Sequence, residues 1–271
     1  GNGMRLLLER CPKVKIKLIV DGSGALFDPE GLNHKALSQV ILQSDLDAYD
    51  VSTLHSGGFL LYRNQTRKDG LRVLFKNVHM EDKGLQEIWI SNDKFYKIFI
   101  NLFFTVKADL FIPAGGRQET IDNDNVDKYF DDQSVASSRA IVEGANSFIT
   151  PAARTELQNR GVVIIRDASA NKCGVISSSY EIIANLILSD EEFLANKVDY
   201  VADVIGILNL MAEREATLIL KRYDENKGAL SYTDISNDIS REINEHYARI
   251  FEYFQANPEL CSKPIYLNAM L

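Results

Sequence analysis

The chain has 271 residues, which is enough for one large domain or two smaller ones. Hydrophobic residues make up 45% and charged residues 25% of the sequence, as is ordinary for a soluble globular protein. The formal net charge of −8 argues against nucleic acid or an anionic membrane surface as the main partner. The three widely spaced cysteines predict free thiols in a reducing compartment, the cytoplasm, and not a disulfide framework.

The sequence predicts neither a membrane span nor a secretory signal. No apolar run in the sequence approaches the roughly 20 residues that cross a bilayer. Residues 1–20 lack a continuous apolar stretch followed by a small-residue cleavage site. The opening, GNGMRLLLERC, is typical of a chain interior, and residues 4–10 are expected to end a helix before Pro12.

Apolar strands then alternate with helical patterns. The predicted strands are VKIKLIV (Val14–Val20), ADLFIPAGG (Ala108–Gly116), SRAIVEGAN (Ser138–Asn146) and GVVIIRDASAN (Gly161–Asn171). Helical spacing is found at His34–Ser44, about 123–131 and Pro151–Arg160. Near-continuous apolar strands that alternate with helices predict an α/β fold with a mostly parallel sheet.

Two regions depart from this alternation. From about 49 to 102, short β-like pieces are separated by charged turns, which predicts a β-rich insertion. From Tyr180 onward the pattern is almost entirely helical, with long amphipathic segments at Asp199–Glu225 and Ser231–Gln255.

The predicted strands end in small or polar residues. Ligands of an open parallel sheet bind at the carboxyl ends of its strands, where small residues permit close approach of the backbone. These ends are Asp21-Gly22, Pro113 to Gly116, Glu143 to Asn146 and Asp167 to Asn171. Their recurrence favours a nucleotide or dinucleotide site, although GNG at Gly1–Gly3 is very weak evidence for a phosphate loop.

Each polar candidate also has a purely structural interpretation. Asp21 can accept hydrogen bonds from an adenosine ribose and repel a 2′-phosphate, or it can open a local turn in DGSG. Asn146 and Asn171 offer amides suited to a carboxamide ligand, or they can bond to their own loops. The CGVISSSYE segment, which contains Ser178, can bind a carboxylate at a helix start or simply cap that helix. Glu143 has no assignable role, and the histidine spacing predicts no metal site.

Four segments taken together resemble the cofactor domain of glutamate dehydrogenases. They are KIKLIVDGSGALFDPEGLN, KADLFIPAGG, IVEGANSFITPAA and GVVIIRDASANKCGVISSSYE, in this order, and the resemblance extends over about residues 13–185. The pair EGAN…TP and N-x-x-G-V-x-x-S is characteristic of the glutamate, leucine, phenylalanine and valine dehydrogenase superfamily. The resemblance is greatest to the large-subunit, NAD-specific class of glutamate dehydrogenases, in which this domain lies near the C-terminus.

The resemblance implies a Rossmann-like, doubly wound domain at residues 1–185, with the insertion at about 49–102 and a helical segment at 186–271. It implies NAD as cofactor and L-glutamate and 2-oxoglutarate as substrates of a longer enzyme that is a homo-oligomer. The implied cofactor contacts are Asp21, Gly22, Ala114, Gly115, Asn146 and Asn171, and Ser178 is the implied substrate contact.

The resemblance also implies that the catalytic lysine and aspartate lie in a separate upstream domain, so we expect this chain alone to be inactive. Cys173 departs from the family pattern, in which glycine is usual at that position. Two alternatives stay open at this point. One is a leucine, phenylalanine or valine dehydrogenase, and the other is a non-catalytic nucleotide-binding regulatory module.

Overall fold

The computed structural model describes residues 1–266, except for the side chains of Asn2 and Cys261. The chain divides into two compact units, of which the first is Gly1–Val162 and the second begins at Val163. In the first unit the helices are α1 (Asn2–Arg10), α2 (His34–Val40), α3 (Asn92–Thr105) and α4 (Pro151–Asn159). Its strands are β1 (Leu18–Val20), β2 (Gly24–Phe27), β3 (Phe59–Asp69), β4 (Arg72–Glu81), β5 (Gly84–Ser91), β6 (Ala108–Phe111) and β7 (Ser138–Val142).

Strands β1 to β5 form an antiparallel sheet in sequence order. The chain reverses directly after β1 because Asp21 Oδ1 accepts hydrogen bonds from the Ser23 amide at 2.8 Å and the Gly24 amide at 3.2 Å. Gly24 then passes so close to β3 that a Cβ would lie 2.1 Å from the Leu61 carbonyl oxygen. The expected mostly parallel sheet is therefore not found here, since a side-chain-stabilised turn pairs β1 with β2 in an antiparallel hairpin.

The predicted β-rich region contains three long strands, β3 to β5, followed by α3. Helix α3 packs on the sheet through Phe95, whose side chain is 0% exposed. The ring of Phe95 stacks on Phe75 of β4 with centroids 4.3 Å apart, and on Phe99 at 5.7 Å. Ala25 and Leu61 complete this side of the core, so the β-rich segment shares a hydrophobic core with the β1–β2 hairpin.

Strands β6 and β7 are parallel, with Leu110 beside Ala140 and Phe111 beside Ile141. This pairing confirms the parallel geometry predicted for these two segments. The carboxyl ends of both strands consequently lie at the same edge. The helical pattern predicted at about 123–131 is a short 3-10 turn, Val126–Tyr129, because the Asn125 side chain bonds the Asp122 amide and the Thr120 carbonyl just before it.

The second unit is mostly helical. It contains β8 (Val163–Ile165), α5 (Asp167–Ala170), α6 (Lys172–Ile187), α7 (Asp190–Glu225) and α8 (Tyr232–Ala256). Ser189 and Ser231 begin α7 and α8 with capping boxes, each completed by an acidic residue three positions later. Ile219 of α7 packs with Ile235 and Ile239 of α8, which confirms the long amphipathic helices predicted for this region.

The structure also bears on membrane-spanning helices and on the state of the cysteines. In residues 1–266, no helix combines the length and apolarity needed to cross a membrane. Cys11 and Cys173 are free thiols, whereas the side chain of Cys261 lies outside the described part of the chain.

The Phe95 contacts generate a stability prediction. We expect Phe95→Ala to lower the free energy of unfolding by about 3–5 kcal/mol, because it leaves a cavity in the core between α3 and the sheet. Ile100→Ala on the same helix removes a side chain that is 50% exposed, and it should cost about 1 kcal/mol or less. Urea titrations of the three proteins measure both changes, and equal losses would contradict the packing described here.

The contact between α7 and α8 generates a pH prediction. Arg222 donates hydrogen bonds of 2.8 and 2.6 Å to the two carboxylate oxygens of Glu242. The side-chain hydrogen bonding from Arg222 is the main cause that lowers the pKa of Glu242 from its ordinary value of 4.5. A native pKa below the unfolded one stabilises the protein above the unfolded pKa, and this contribution is lost as the pH falls through the native pKa.

We therefore expect Glu242→Gln to lower the urea midpoint at about pH 7 and to have a progressively smaller effect as the pH falls below 4.5. Paired urea titrations across this range measure the difference between the two proteins. A difference that stayed constant with pH would show that the charge of Glu242 does not contribute.

Candidate functional site

The loops that follow β6 and β7 lie against each other. The Ala145 amide donates to the Pro113 carbonyl oxygen at 2.7 Å. A Cβ on Gly144 would stand 3.5 Å from Ala114 Cα, so the loops are in direct van der Waals contact. The parallel pairing of β6 with β7 thus brings together Ala114, Gly115 and the segment that carries Asn146, as expected for two strand ends of one sheet.

The segment before the 3-10 turn lies along the other side of the β7 loop. Glu119 N donates to the Ser147 carbonyl oxygen at 2.7 Å, and Ile121 N donates to the Phe148 carbonyl oxygen at 3.1 Å. Gly116 has a φ of +118°, and a Cβ there would lie 3.1 Å from the Phe148 ring, so glycine is required at this position. Asn146 is exposed at the surface of this backbone-bonded loop.

Beneath the same loop lies a buried ion pair that the sequence did not reveal. Glu143 is 0% exposed and Arg154 is 6% exposed. Arg154 Nε donates to Glu143 Oε2 at 2.9 Å, and Arg154 Nη2 donates to Glu143 Oε1 at 3.1 Å. In the sequence, the indication of a buried ion pair was Glu143 itself, a single acidic residue that directly follows an apolar strand. Its partner could not be chosen from the sequence, because Arg139, Arg154 and Arg160 are all near in the chain.

Asp21 and Gly22 lie in the turn between β1 and β2, in the antiparallel sheet. Asp21 Oδ1 accepts from the Ser23 amide, the Ser23 hydroxyl and the Gly24 amide, which is the turn-opening arrangement weighed from the sequence. Asp21 is exposed, and the hydrogen bonds of its carboxylate in the described structure use Oδ1 alone. These bonds remain within the turn, so they do not join Asp21 to the β6 and β7 loops.

Asn171 and Ser178 belong to the second unit. Asn171 separates α5 from α6. Ser177 and Ser179 donate their hydroxyls to carbonyl oxygens of α6. Ser178 between them is exposed, and its hydroxyl has no partner among residues 1–266. The structure thus places Ser178 at the surface of α6, and its role as a substrate contact stays a prediction.

The start of α6 is attached to α7. Lys172 forms an ion pair with Glu215, and the Cys173 thiol lies 3.8 Å from the Leu208 carbonyl oxygen. Cys173 thus packs against the neighbouring helix. Within the described ranges, no three His, Cys, Asp or Glu side chains are grouped in a way that could hold a metal ion.

A family model described as Glutamate/Leucine/Phenylalanine/Valine dehydrogenase matches residues 4–223. The Probable NAD-specific glutamate dehydrogenase of Schizosaccharomyces pombe is 35% identical over 247 residues, which cover 87% of this chain and 21% of that protein. Glutamate dehydrogenase 2 of Dictyostelium discoideum is 35% identical over 241 residues, which cover 83% of this chain and 21% of that protein.

Solved structures are matched at lower sequence identity. A glutamate dehydrogenase from Plasmodium falciparum superposes with a TM-score of 0.48 at 16% sequence identity, and covers 90% of this chain and 43% of that one. The chain spans about a fifth of the length of the curated relatives it matches. Because the family model extends over most of the sequence, including the β6, β7 and α6 segments, the chain belongs to the glutamate/leucine/phenylalanine/valine dehydrogenase family.

Proposed function

We propose that this chain is the NAD-binding part of a longer glutamate dehydrogenase. The observation that carries the proposal is the direct contact between the Ala114 loop and the Asn146 loop, at one edge of a parallel strand pair, in a chain of this family. The whole enzyme converts L-glutamate, NAD⁺ and water to 2-oxoglutarate, ammonium, NADH and a proton. In this reaction the hydride leaves the glutamate Cα for the nicotinamide.

The proposed cofactor contacts of the first unit are Ala114, Gly115 and Asn146, with Asp21 and Gly22. Backbone at Ala114 and Gly115 is exposed and can approach a dinucleotide closely. Asn146 offers an exposed amide that can donate to and accept from the nicotinamide ribose side of the cofactor. NAD is the cofactor named for the Schizosaccharomyces pombe relative, which supports the choice of NAD for this chain.

Asp21 is proposed to select NAD over NADP. One carboxylate oxygen is occupied by the turn, and the other can accept from an adenosine ribose hydroxyl. The negative charge of the carboxylate would repel the 2′-phosphate of NADP. The turn thus fixes the orientation of the Asp21 carboxylate through Oδ1 and leaves Oδ2 for the ribose hydroxyl.

The proposed contacts of the second unit are Asn171, for the nicotinamide carboxamide, and Ser178, for the side-chain carboxylate of glutamate. Ser178 can donate its hydroxyl hydrogen to an anion, and its two neighbouring serines cannot do so while they bond the helix.

No catalytic residue is assigned to this chain, because the family resemblance implies that the acid–base lysine and aspartate lie in another domain. Residues 1–185 are proposed as a Rossmann-like domain and the segment predicted at 186–271 as helical, of which 267–271 lie outside the described residues. The whole protein is proposed to be a cytoplasmic homo-oligomer.

The substrate assignment is tested on the full-length natural protein. We expect NADH formation that depends on L-glutamate, with little or no NADH formed from leucine, phenylalanine or valine. Absorbance at the NADH band measures all four rates, and the isolated chain should be inactive with each amino acid. Activity with leucine but not glutamate would replace the proposed substrate, and activity with none would favour a nucleotide-binding regulatory module.

The cofactor assignment is tested by Asp21→Asn in the same full-length protein. This change keeps an oxygen for the turn and removes the charge, so we expect the preference for NAD over NADP to fall by about tenfold. The measurement is the ratio of kcat/KM for the two cofactors. Asp50→Asn is a matched control, because Asp50 Oδ1 accepts from Ser52 N and Ser52 Oγ in the same kind of turn.

The control variant should leave the cofactor ratio unchanged. An Asp21→Asn enzyme with the wild-type ratio would contradict the selecting role of Asp21. Equal kcat/KM for NAD and NADP in the unmodified enzyme would contradict it as well.

A further inference from the structure

The Glu143–Arg154 ion pair links the two ends of the β7 loop. Glu143 stands at the beginning of this loop, and Arg154 lies in α4 beyond its end. The Ile149 amide donates to Glu143 Oε1 at 3.3 Å, and Arg154 Nη2 donates to the Ile149 carbonyl oxygen at 3.0 Å. The two charged groups therefore bind the backbone of the same residue: Glu143 accepts from the Ile149 amide, and Arg154 donates to the Ile149 carbonyl oxygen. Together they connect the two ends of the loop 144–149.

Stability alone does not account for such a pair. Removing two charges from water is costly, and buried ion pairs can often be replaced by apolar side chains of similar volume without loss of stability. What apolar replacements cannot reproduce is the directional bonding to the Ile149 backbone. The distinctive contribution of Glu143 and Arg154 is therefore the geometry of the loop.

Arg154 does not meet a cofactor itself. Its side chain is almost fully buried and is directed at Glu143 and Ile149. Glu143 has no exposed surface. Asn146 and Ser147 of the same loop are both exposed, and Asn146 lies at the middle of the loop, three positions after Glu143 and three before Ile149.

We infer that Glu143 and Arg154 are positioning residues that hold the 144–149 loop in one conformation and thereby present Asn146 to the dinucleotide. The loop part of this inference is independent of the function of the chain, and the cofactor part rests on the proposed function. The pair acts through Asn146, so its loss should alter cofactor binding more than turnover.

The loop part is tested by hydrogen exchange on this chain. A single Arg154→Met change leaves the buried Glu143 carboxylate without its cation and can prevent folding. The informative variant is therefore Glu143→Leu/Arg154→Met, which removes both charges together. We expect its urea midpoint to stay near the wild-type value. We expect the Ala145 and Glu119 amides to exchange about tenfold faster, the factor that corresponds to the net contribution of one hydrogen bond.

These two amides are the sensitive probes because their acceptors, the Pro113 and Ser147 carbonyl oxygens, are not mutated. Asp109→Leu/Arg139→Met is the matched control. It removes an ion pair between β6 and β7 whose side chains are 88% and 84% exposed, and it should leave both exchange rates unchanged. Wild-type exchange at Ala145 and Glu119 in the Glu143→Leu/Arg154→Met protein would overturn the inference.

The cofactor part is tested in the full-length protein by steady-state kinetics. We expect Glu143→Leu/Arg154→Met to raise the KM for NAD by about tenfold, with little change in the KM for glutamate or in kcat. Asn146→Ala, measured alongside, should raise the KM for NAD similarly. If neither variant changes the KM for NAD while exchange in the loop is faster, the proposed role of Asn146 fails and the loop inference stands. If Asn146→Ala raises this KM but the double variant does not, the positioning role is overturned.

Discussion

A buried carboxylate without access to water must find a cation and hydrogen-bond donors, and the region after β7 is organised around that requirement. Glu143 meets it through Arg154 and the Ile149 amide. Because Arg154 lies in α4, satisfying the charge also sets where the helix begins relative to the strand. Thr150 supports the same arrangement, since its hydroxyl accepts from the Ala153 amide at the first turn of α4.

The neighbouring loops then follow from this fixed segment. Pro113 and Glu119, on either side of the Gly115-Gly116 turn, bond the backbone of the β7 loop through Ala145 and Ser147. Two stretches of backbone that are distant in sequence, residues 113–121 and the 144–149 loop, are thus joined by main-chain hydrogen bonds, which require no particular side chains. This explains why small residues are found here: their role is to let the backbone segments approach one another.

The antiparallel sheet illustrates a different constraint, which is local. Asp21 stabilises a tight turn by accepting three hydrogen bonds within a few residues of itself, and this turn decides the direction of β2. The same carboxylate is exposed, and its hydrogen bonds within the turn use Oδ1. The turn-forming role of Asp21 is therefore compatible with the cofactor contact proposed for it.

Many of the helices and strands, and the family of this protein, could be predicted from its residues alone. Hydrophobic periodicity located the strands at 108–111 and 138–142 and the long helices α7 and α8, because periodicity reflects which face of each element is buried. Side-chain chemistry at Ser231 and Thr150 likewise marked helix starts. The order of the motifs around Asp21, Ala114, Asn146 and Asn171 was sufficient for the family.

The pairing of strands and of buried charges could not be predicted in this way, because it depends on how the folded chain packs. Sequence spacing could not distinguish β1 as part of an antiparallel hairpin from β1 as part of a parallel sheet, since one buried strand has the same apolar pattern in either. Nor could it select Arg154 as the partner of Glu143, because the distance between two charges depends on how a strand and a helix pack. Turns and helix caps depend on residues that are adjacent in the sequence, whereas a long-range contact exists only once the chain has folded.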